Sequence, residues 1–590
     1  MFICLSQLNA PKIIGIRQVF YIALWVVIKM SKTVAQLLVE YLSLGGVQRV
    51  YGVPGDSIDP FVEAVRRNHN IKYVQVRHEE GGAFAASFDA KFNENPTACF
   101  GTSGPGSIHL INGLYDAKTD KAPVIAITGQ VRSDLYGEDY HQEVNLVKLF
   151  DDLSVFNRMV IDPQSAPYLI SRAIREAKRL KGVSHLNFPV NILMEKVESP
   201  RLVNTEVVTG RIFSNIDPAV ELIQKSKHPV LLVGRGGKAE MKELMSLSEK
   251  IGAPIIYSLL GKGIFSDESE QVLGGLGLLG SKPSVEAIDG ADLIIEIGST
   301  FPYRKFIPKD VKIVQVDVDP ANLGREAPVD IPINSDAHSF LELASRRVAE
   351  KDYKYYREFS KSKASWELEL LRNEEIQTQS VNPAKLARIL SEEASKDAIM
   401  VTDTGNTTVW IARHFHASAG QRFLFSGALA SMGCGLPGAI GISLSSNRQV
   451  ISSVGDGGFA MTSMELSTVK KYNLPIKIVV FNNSKLAMIK FEQEVLGFPE
   501  WGVDLVNPDF SILASAYGIE STRIERNSDV KSGVKTMIES KGPFLLEAMT
   551  EPDMRPTPPK IRLDQATGYL VAQLRERIGY EPEAYFRQSN

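Results

Sequence analysis

The sequence predicts an α/β protein with three doubly wound parallel-sheet domains, and three observations support this prediction. Short apolar runs alternate with helical patterns, which is typical of parallel sheets covered by helices. Most of these runs stop at a cluster of Gly, Asp, Asn or Pro, and open α/β sheets bind ligands at that edge. At 590 residues the chain is also too long for a single hydrophobic core.

The composition is that of a soluble globular protein and gives no sign of a nucleic-acid-binding or disulfide-rich protein. The hydrophobic content of 44% and the charged content of 23% are ordinary for a soluble globular protein. A formal net charge of −3 gives no reason to expect a nucleic acid partner. Cys4, Cys99 and Cys434 are far apart, which fits a reducing compartment and predicts a cytoplasmic protein. The apolar run over residues 19–28 is too short to span a bilayer, so we interpret residues 1–29 as an upstream extension and Met30 as the natural start.

The first domain is predicted over residues 31–200, with a strand at 71–76 and a helix at 83–92. Glu79 and Glu80 lie between them, at the end of the strand. Acids at this position are commonly placed to favour the helix dipole. The functional alternative is one carboxylate held where it exchanges a proton with a bound heterocycle.

The second domain is predicted over residues 205–350, where each strand ends in glycine or acid. The strand at 230–233 precedes Gly236, and the strand at 312–316 precedes Asp317. Exposed glycine backbone accommodates a pyrophosphate, and an acid at a strand end accepts from ribose hydroxyls. The alternative is a spacer domain without a cofactor.

A charged stretch over residues 351–380 is predicted to be a solvated linker helix. The third domain then covers residues 381–553 and begins with a strand at 399–402, which ends near Gly405 and Asn406. Met432 is the bulky exception in a small-residue stretch, and its commonest use would be in the core.

The strongest pattern lies at residues 449–483, where strand, helix and strand form a parallel βαβ unit. Asp456 and Asn483 follow its two strands and offer hard oxygens, which suit Mg²⁺ or Ca²⁺. Gly457 and Gly458 let backbone N–H groups approach an anion. Together these residues predict a diphosphate anchored through Mg²⁺, against the alternative of an ordinary strand-turn-helix.

This arrangement resembles the diphosphate-binding motif of the thiamine diphosphate (ThDP) enzymes, in which Asn follows GDG after about two dozen residues. The resemblance implies that Asp456 and Asn483 bind Mg²⁺ together with the backbone carbonyl of Lys485. It also implies that Met432 supports a bent cofactor conformation, and that Gly405, Asn406, Gly457 and Gly458 contact ThDP.

The runs VRHEEGGAFAA and GTSGPGSIHLINGLYDAK are similar to the pyruvate oxidase branch of that family. By this resemblance Glu79 is the catalytic glutamate, and His109 and the pair His141-Gln142 lie at active-site positions. Glu492 matches the oxidases, whereas Met488 is usual in acetolactate synthases.

The runs GSTFPYRKF and QVDVDPANLG are similar to FAD-binding segments of pyruvate oxidases. The resemblance therefore implies FAD across the central domain. The implied contacts are Gly236, Gly277, Leu278, Phe301, Tyr303, Arg304 and Asp317.

The family resemblance implies oxidative decarboxylation of pyruvate by a homodimer or homotetramer, with O₂ or a quinone as electron acceptor. Three alternatives remain: an acetolactate synthase, another 2-oxo acid decarboxylase or oxidase, and a non-catalytic nucleotide-binding module. The tail at 554–590 shows no clear apolar face, which weakens the alternative of peripheral membrane contact.

Overall fold

The computed structural model describes residues 31–197, 215–300, 304–556, 571–572 and 575. The predicted extension at 1–29, Phe301, Tyr303 and most of the predicted tail lie outside the described residues. The chain divides into two compact units, Met1–Val208 and Thr209–Asn590. Across the described ranges, no helix has the length and apolar character needed to cross a membrane.

The first unit contains a six-stranded parallel sheet with the order β3-β2-β4-β5-β7-β6. Its strands are β2 (Arg49–Gly52), β3 (Lys72–Gln75), β4 (Thr97–Gly101), β5 (Val124–Gln130), β6 (Ser154–Met159) and β7 (Val183–Pro189). A short antiparallel pair, β1 (Lys32–Thr33) and β8 (Lys196–Val197), joins the two ends of the domain. The helices are α1 (Val34–Leu44), α2 (Asp59–Arg67), α3 (Glu79–Asn93), α4 (Pro105–His109), α5 (Ile111–Thr119), α6 (Leu146–Leu149), α7 (Ala166–Leu180) and α8 (Val190–Met194).

The central sheet belongs to the second unit and has the order β11-β10-β9-β12-β13-β14, again parallel throughout. Its strands are β9 (Pro229–Val233), β10 (Ile255–Tyr257), β11 (Val272–Gly275), β12 (Leu293–Ile297), β13 (Lys312–Asp317) and β14 (Ile331–Asn334). The helices are α9 (Asp217–Lys225), α10 (Met241–Ile251), α11 (Lys282–Asp289) and α12 (Ala337–Arg347). Counted along the domain this order is 3-2-1-4-5-6, the order of dinucleotide-binding sheets.

The third sheet has the order β16-β15-β17-β18-β20-β19, which repeats the topology of the first sheet. Its strands are β15 (Ile399–Thr402), β16 (Arg422–Leu424), β17 (Val450–Gly455), β18 (Lys477–Asn482), β19 (Glu520–Ile524) and β20 (Phe544–Met549). The helices, after the connecting α13 (Ser360–Glu375), are α14 (Pro383–Glu393), α15 (Asn406–His414), α16 (Gly435–Ser443), α17 (Asp456–Thr462), α18 (Leu466–Lys471), α19 (Ala487–Val495), α20 (Phe510–Ala516) and α21 (Val530–Glu539). Three parallel-sheet α/β domains are therefore present, as the sequence predicted.

Three local predictions need correction. The helix expected from Ala83 begins four residues earlier, because His78 caps it by accepting a hydrogen bond from the Glu80 N–H. Glu79 is thus the first residue of a helix and not the end of a strand. The single helix expected after Asp456 is instead α17 and α18, joined by a short 3₁₀ turn.

The linker over residues 351–380 is less solvated than predicted. Its helix covers only Ser360–Glu375, and Trp366 and Leu370 are buried. Tyr355 and Phe359, in the turn before this helix, join the core on one face of the central sheet. Trp366 and Leu370 are four residues apart, a spacing that places them on one face of a helix, but the many charged residues around them made the segment resemble a fully solvated helix.

Candidate active site

The first candidate cluster surrounds Glu79 at the start of α3. The Glu79 side chain is only 10% exposed, and its Oε2 lies 3.0 Å from His109 Nδ1. The His109 ring lies over the His78 ring with centroids 4.2 Å apart. A Cβ at Gly106 of α4 would lie 3.0 Å from Glu79 Oε1, so a larger residue at this position would crowd the carboxylate. The structure therefore brings Glu79 and His109, two of the predicted site residues, into contact.

Gln142 lies beside the same turn. Its backbone is in the left-handed region, with φ of 63°, and a Cβ at Gly104 would lie 2.9 Å from the Gln142 carbonyl oxygen. Gln130, at the end of β5, supports the segment by donating to the Val144 carbonyl at 2.9 Å. His141, which directly precedes Gln142, is exposed. Gln142 is thus packed against Gly104, which directly precedes the helix α4 that ends in His109.

The second candidate cluster surrounds Asp456, the first residue of α17. This side chain is buried, and its Oδ2 accepts a hydrogen bond from Asn507 Nδ2 at 2.7 Å. Burial raises the pKa of Asp456 to about 6, although hydrogen bonds from Asn507 and from the Gly457 and Ser484 backbone act in the opposite direction. A buried carboxylate of this kind gains charge stabilisation from a cation.

The other two predicted metal ligands lie on the segment that donates to Asp456. Asn483 and Lys485 flank Ser484, and Asn483 Oδ1 accepts from the Lys485 N–H at 3.1 Å. The Lys485 ammonium pairs with Glu500 and Asp504; since an ammonium group has no lone pair, only the backbone carbonyl of Lys485 could bind a metal. The three predicted ligands therefore lie on two neighbouring strand ends, after β17 and β18.

Asp403 is a buried carboxylate of the candidate site that the sequence analysis did not single out. Its buried carboxylate accepts from the N–H groups of Thr404, Gly433 and Gly435 at 2.7 to 3.3 Å. A Cβ at Gly458 would lie 2.8 Å from Asp403 Oδ2. Burial raises the pKa of Asp403 to about 6, against the effect of these N–H donors. Its position directly after the strand Ile399–Thr402 was the signal that the sequence offered.

The residues around Asp403 and Asp456 fit a bound diphosphate cofactor. Gly405, with φ of 132°, has open space where a Cβ would be. The adjacent Asn406 Oδ1 is buried and has no hydrogen-bond partner within the described part of the chain. Met432 is half-buried, and its Cε lies 3.1 Å from the position of a Cβ on Gly457. An unsatisfied buried acceptor beside open backbone is expected where a ligand binds.

Glu492 and Met488 both lie on α19, one helical turn apart. Glu492 is exposed and Met488 is half-buried. Glu492, which matches the pyruvate oxidases, and Met488, which is usual in acetolactate synthases, therefore lie on the same helix.

In the central domain, the strand order reverses between β9 and β12, which is the position of ligand-binding crevices in such sheets. There Gly236 donates its N–H to the Gly298 carbonyl at 3.0 Å, and a Cβ at Gly236 would lie 2.7 Å from Gly298 Cα. Because Gly236 has no side chain, the turn after β9 can contact the turn after β12 at Gly298.

The remaining predicted FAD contacts that the structure describes lie around the same sheet edge. Gly277, with φ of 100°, precedes the exposed Leu278, whose carbonyl accepts from Arg413 Nη2 at 2.6 Å. Asp317 ends β13, and its Oδ1 accepts from the Asp319 N–H and from Asn322 Nδ2. Arg304 is exposed.

Three family models of thiamine pyrophosphate enzymes match the chain, one in each domain. The N-terminal TPP binding domain matches residues 32–149, the central domain matches residues 216–343, and the C-terminal TPP binding domain matches residues 403–548. The chain belongs to the thiamine pyrophosphate enzyme family. This membership confirms the family resemblance and makes the protein a ThDP-dependent enzyme.

Relatives of this ThDP enzyme span nearly its whole length. YdaP of Bacillus subtilis (strain 168), named as a thiamine pyrophosphate-containing protein, is 39% identical over 92% of this chain and 96% of its own length. The pyruvate oxidase of Lactiplantibacillus plantarum is 32% identical over 90% of each chain. The acetolactate synthase isozyme 2 large subunit of Escherichia coli K12 is 30% identical over 87% of this chain and 94% of its own. Both branches that the sequence suggested are represented at similar identity.

Proposed function

We propose that this ThDP enzyme catalyses the oxidative decarboxylation of pyruvate with Mg²⁺ and FAD, and passes the electrons to O₂ or a quinone. The observation that carries the proposal is the buried Glu79 carboxylate paired with His109. When bound, ThDP supplies the carbanion chemistry of decarboxylation, and FAD accepts electrons.

In this proposal, residues of the protein bind Mg²⁺, hold the cofactor in place and transfer a proton. Glu79 exchanges a proton with the cofactor heterocycle, and His109 holds the carboxylate oxygen that faces it. Asp456, the Asn483 side chain and the Lys485 carbonyl hold Mg²⁺ through hard oxygen ligands. We further propose that two copies of the chain share each site, with Glu79 from one and the Asp456 cluster from the other.

FAD binding in the central domain is supported by the 3-2-1-4-5-6 strand order and by the acid Asp317 at a strand end. Gly277 and Leu278 would contact the cofactor from the loop after β11, and Arg304 from the turn after β12.

A second candidate, carboligation of the acetolactate synthase type, is favoured by Met488 and by the relatives of that name. Anaerobic mixing of the purified holoenzyme with pyruvate separates the two reactions. We expect rapid bleaching of one flavin per active site. Formation of acetolactate without bleaching would contradict the oxidase and support the carboligase.

A further inference from the structure

A buried chain of hydrogen bonds connects the candidate metal ligand Asp456 to residues that carry no assigned role. Asp456, Asn482 and Glu547 are at most 2% exposed and belong to the third sheet or to its edge. Asn507, on the loop before α20, joins two of them by donating to Asp456 Oδ2 at 2.7 Å and to Asn482 Oδ1 at 3.1 Å. Asn482 Nδ2 in turn donates to Glu547 Oε1 at 2.7 Å.

The donors and acceptors in this chain fix the orientation of both amides. The Ser484 backbone N–H can only donate, and it lies 3.2 Å from Asn482 Oδ1. Asn482 Nδ2 therefore points toward Glu547, whose other oxygen accepts from the Ser511 N–H at 3.1 Å. Because Asn482 presents its oxygen to Asn507, Asn507 must present its NH₂ group, and that group also reaches Asp456.

Two backbone hydrogen bonds hold the Asn507 loop against the predicted metal-binding segment. The Leu505 N–H donates to the Ser484 carbonyl, and the Leu486 N–H donates to the Val503 carbonyl, both at 2.8 Å. The loop and the segment that carries Asn483 and Lys485 are thus one paired structure. The loop that carries Asn507 is thereby fixed beside two of the predicted ligands, and the Asn507 amide reaches the third, Asp456.

We infer that Asn507 is a positioning residue for the metal ion, and that Asn482 and Glu547 set the direction in which it donates. This inference depends on the proposed Mg²⁺ site at Asp456. A carboxylate ligand whose orientation is fixed by a hydrogen bond binds metal more tightly, and loss of such a partner typically costs about 10- to 100-fold in metal affinity. The NH₂ group of Asn507 plays this part for Asp456.

The test measures metal affinity directly, with Mn²⁺ as an electron paramagnetic resonance probe for the full-length protein in the presence of ThDP. We expect Asn507→Leu, which keeps the volume but removes the donor, to raise the Mn²⁺ dissociation constant roughly 10- to 100-fold. Excess Mg²⁺ should restore kcat in that variant, since the residue acts only through the metal. Val506→Ala is the matched control, because this fully exposed neighbour lies on the same loop.

Glu547→Gln provides a second and isosteric variant. A Gln side chain presents an NH₂ group to either Asn482 or the Ser511 N–H, and both already donate. We therefore expect weaker Mn²⁺ binding in this variant as well. If Asn507→Leu does not fold by near-UV circular dichroism, the shorter Asn507→Ser takes its place with the same expectation.

The outcomes separate the inference from the proposed function. If the wild-type protein binds Mn²⁺ and folded Asn507 variants bind it equally well, the inference is wrong and the metal site stands. An equal loss in Val506→Ala would also overturn it, because the effect would then belong to the loop. If the wild-type protein with ThDP binds no Mn²⁺, the proposed metal site itself is wrong.

Discussion

Glu79 is held at the first position of α3, where the helix N-terminus and His109 both act on its carboxylate. The neighbouring Glu80 belongs to the same helical turn, but its carboxylate has a different partner, since its Oε1 accepts a hydrogen bond from Asn112 Nδ2. Glu79 and Glu80 have the same side chain and are adjacent in the sequence. In the structure their carboxylates have different partners, His109 for Glu79 and Asn112 for Glu80.

We predict that Glu79→Gln lowers turnover by about 10²- to 10⁴-fold, the usual contribution of a positioned acid–base group. Steady-state kinetics at saturating ThDP and Mg²⁺ measures this, with Glu80→Gln as the matched control. The Glu80→Gln variant should retain near wild-type turnover. Equal losses in both variants would assign the effect to negative charge at the helix N-terminus.

His185 lies in a buried polar cluster of the first domain. Its Nδ1 is 2.7 Å from Asn157 Oδ1, its Nε2 is 2.8 Å from Thr128 Oγ1, and its ring stacks on Phe150. Burial lowers the pKa of His185 from its usual value of 6.5 to about 3. The folded protein thus keeps this ring neutral.

We predict that this histidine makes the first domain sensitive to acid. Because its folded pKa lies below the unfolded value, its stabilising contribution is complete above pH 6.5 and is lost as the pH falls toward 3. At pH 5 the loss in the free energy of unfolding is about 2 kcal/mol. Urea unfolding at pH 7 and pH 5 checks this, and His185→Gln should show a smaller loss than wild type. An identical loss in the variant would show that other groups cause it.

At the scale of elements, α3 and α5 pack at unusually close range. A Cβ at Gly113 of α5 would lie 2.5 Å from the Phe84 backbone nitrogen and 2.7 Å from Ala83 Cβ. Buried Lys91 of α3 also forms an ion pair with Asp116 of α5 at 2.7 Å. Because Gly113 has no side chain, α5 can pack closely against α3, the helix that carries Glu79.

We predict that Gly113→Ala destabilises the protein by about 1–3 kcal/mol, because the added methyl group meets backbone atoms that cannot move aside. Thermal unfolding measures the effect. Gly542→Ala is the control, since nothing lies within 4 Å of its Cβ position, and it should change the unfolding temperature little. A wild-type melting curve for Gly113→Ala would contradict the close approach.

Sequence patterns anticipated most of the strands because parallel strands buried on both faces form continuous apolar runs. The strand predicted at 399–402 matches the structure residue for residue. Helix starts were harder, because caps such as His78 depend on side-chain geometry. Likewise Asp456 and Glu79 were found from short motifs, whereas Asn507 is brought to Asp456 only by the fold.

On the scale of the molecule, a buried ion pair lies where the central domain meets the third sheet's domain within the second unit. Asp267 Oδ2 lies 3.0 Å from Lys262 Nζ, whose side chain is 2% exposed, and accepts from the Ala417 N–H at 2.8 Å. The Asp267 N–H also donates to the Ala417 carbonyl. One carboxylate therefore connects two domains.

We predict that Asp267→Asn costs about 3–5 kcal/mol, since it leaves the Lys262 charge buried without its partner. Differential scanning calorimetry should show a lower unfolding temperature for the second unit. Glu221→Gln removes a pair that is exposed on both sides and should have almost no effect. Similar small changes in both variants would mean that the junction does not depend on this charge.

Binding of ThDP to the purified full-length protein, followed by isothermal titration calorimetry with and without Mg²⁺, tests the central claim most directly. The structure predicts saturable binding that requires Mg²⁺ and is abolished in Asp456→Ala. Binding that is absent in wild type, or unchanged in Asp456→Ala, would contradict it.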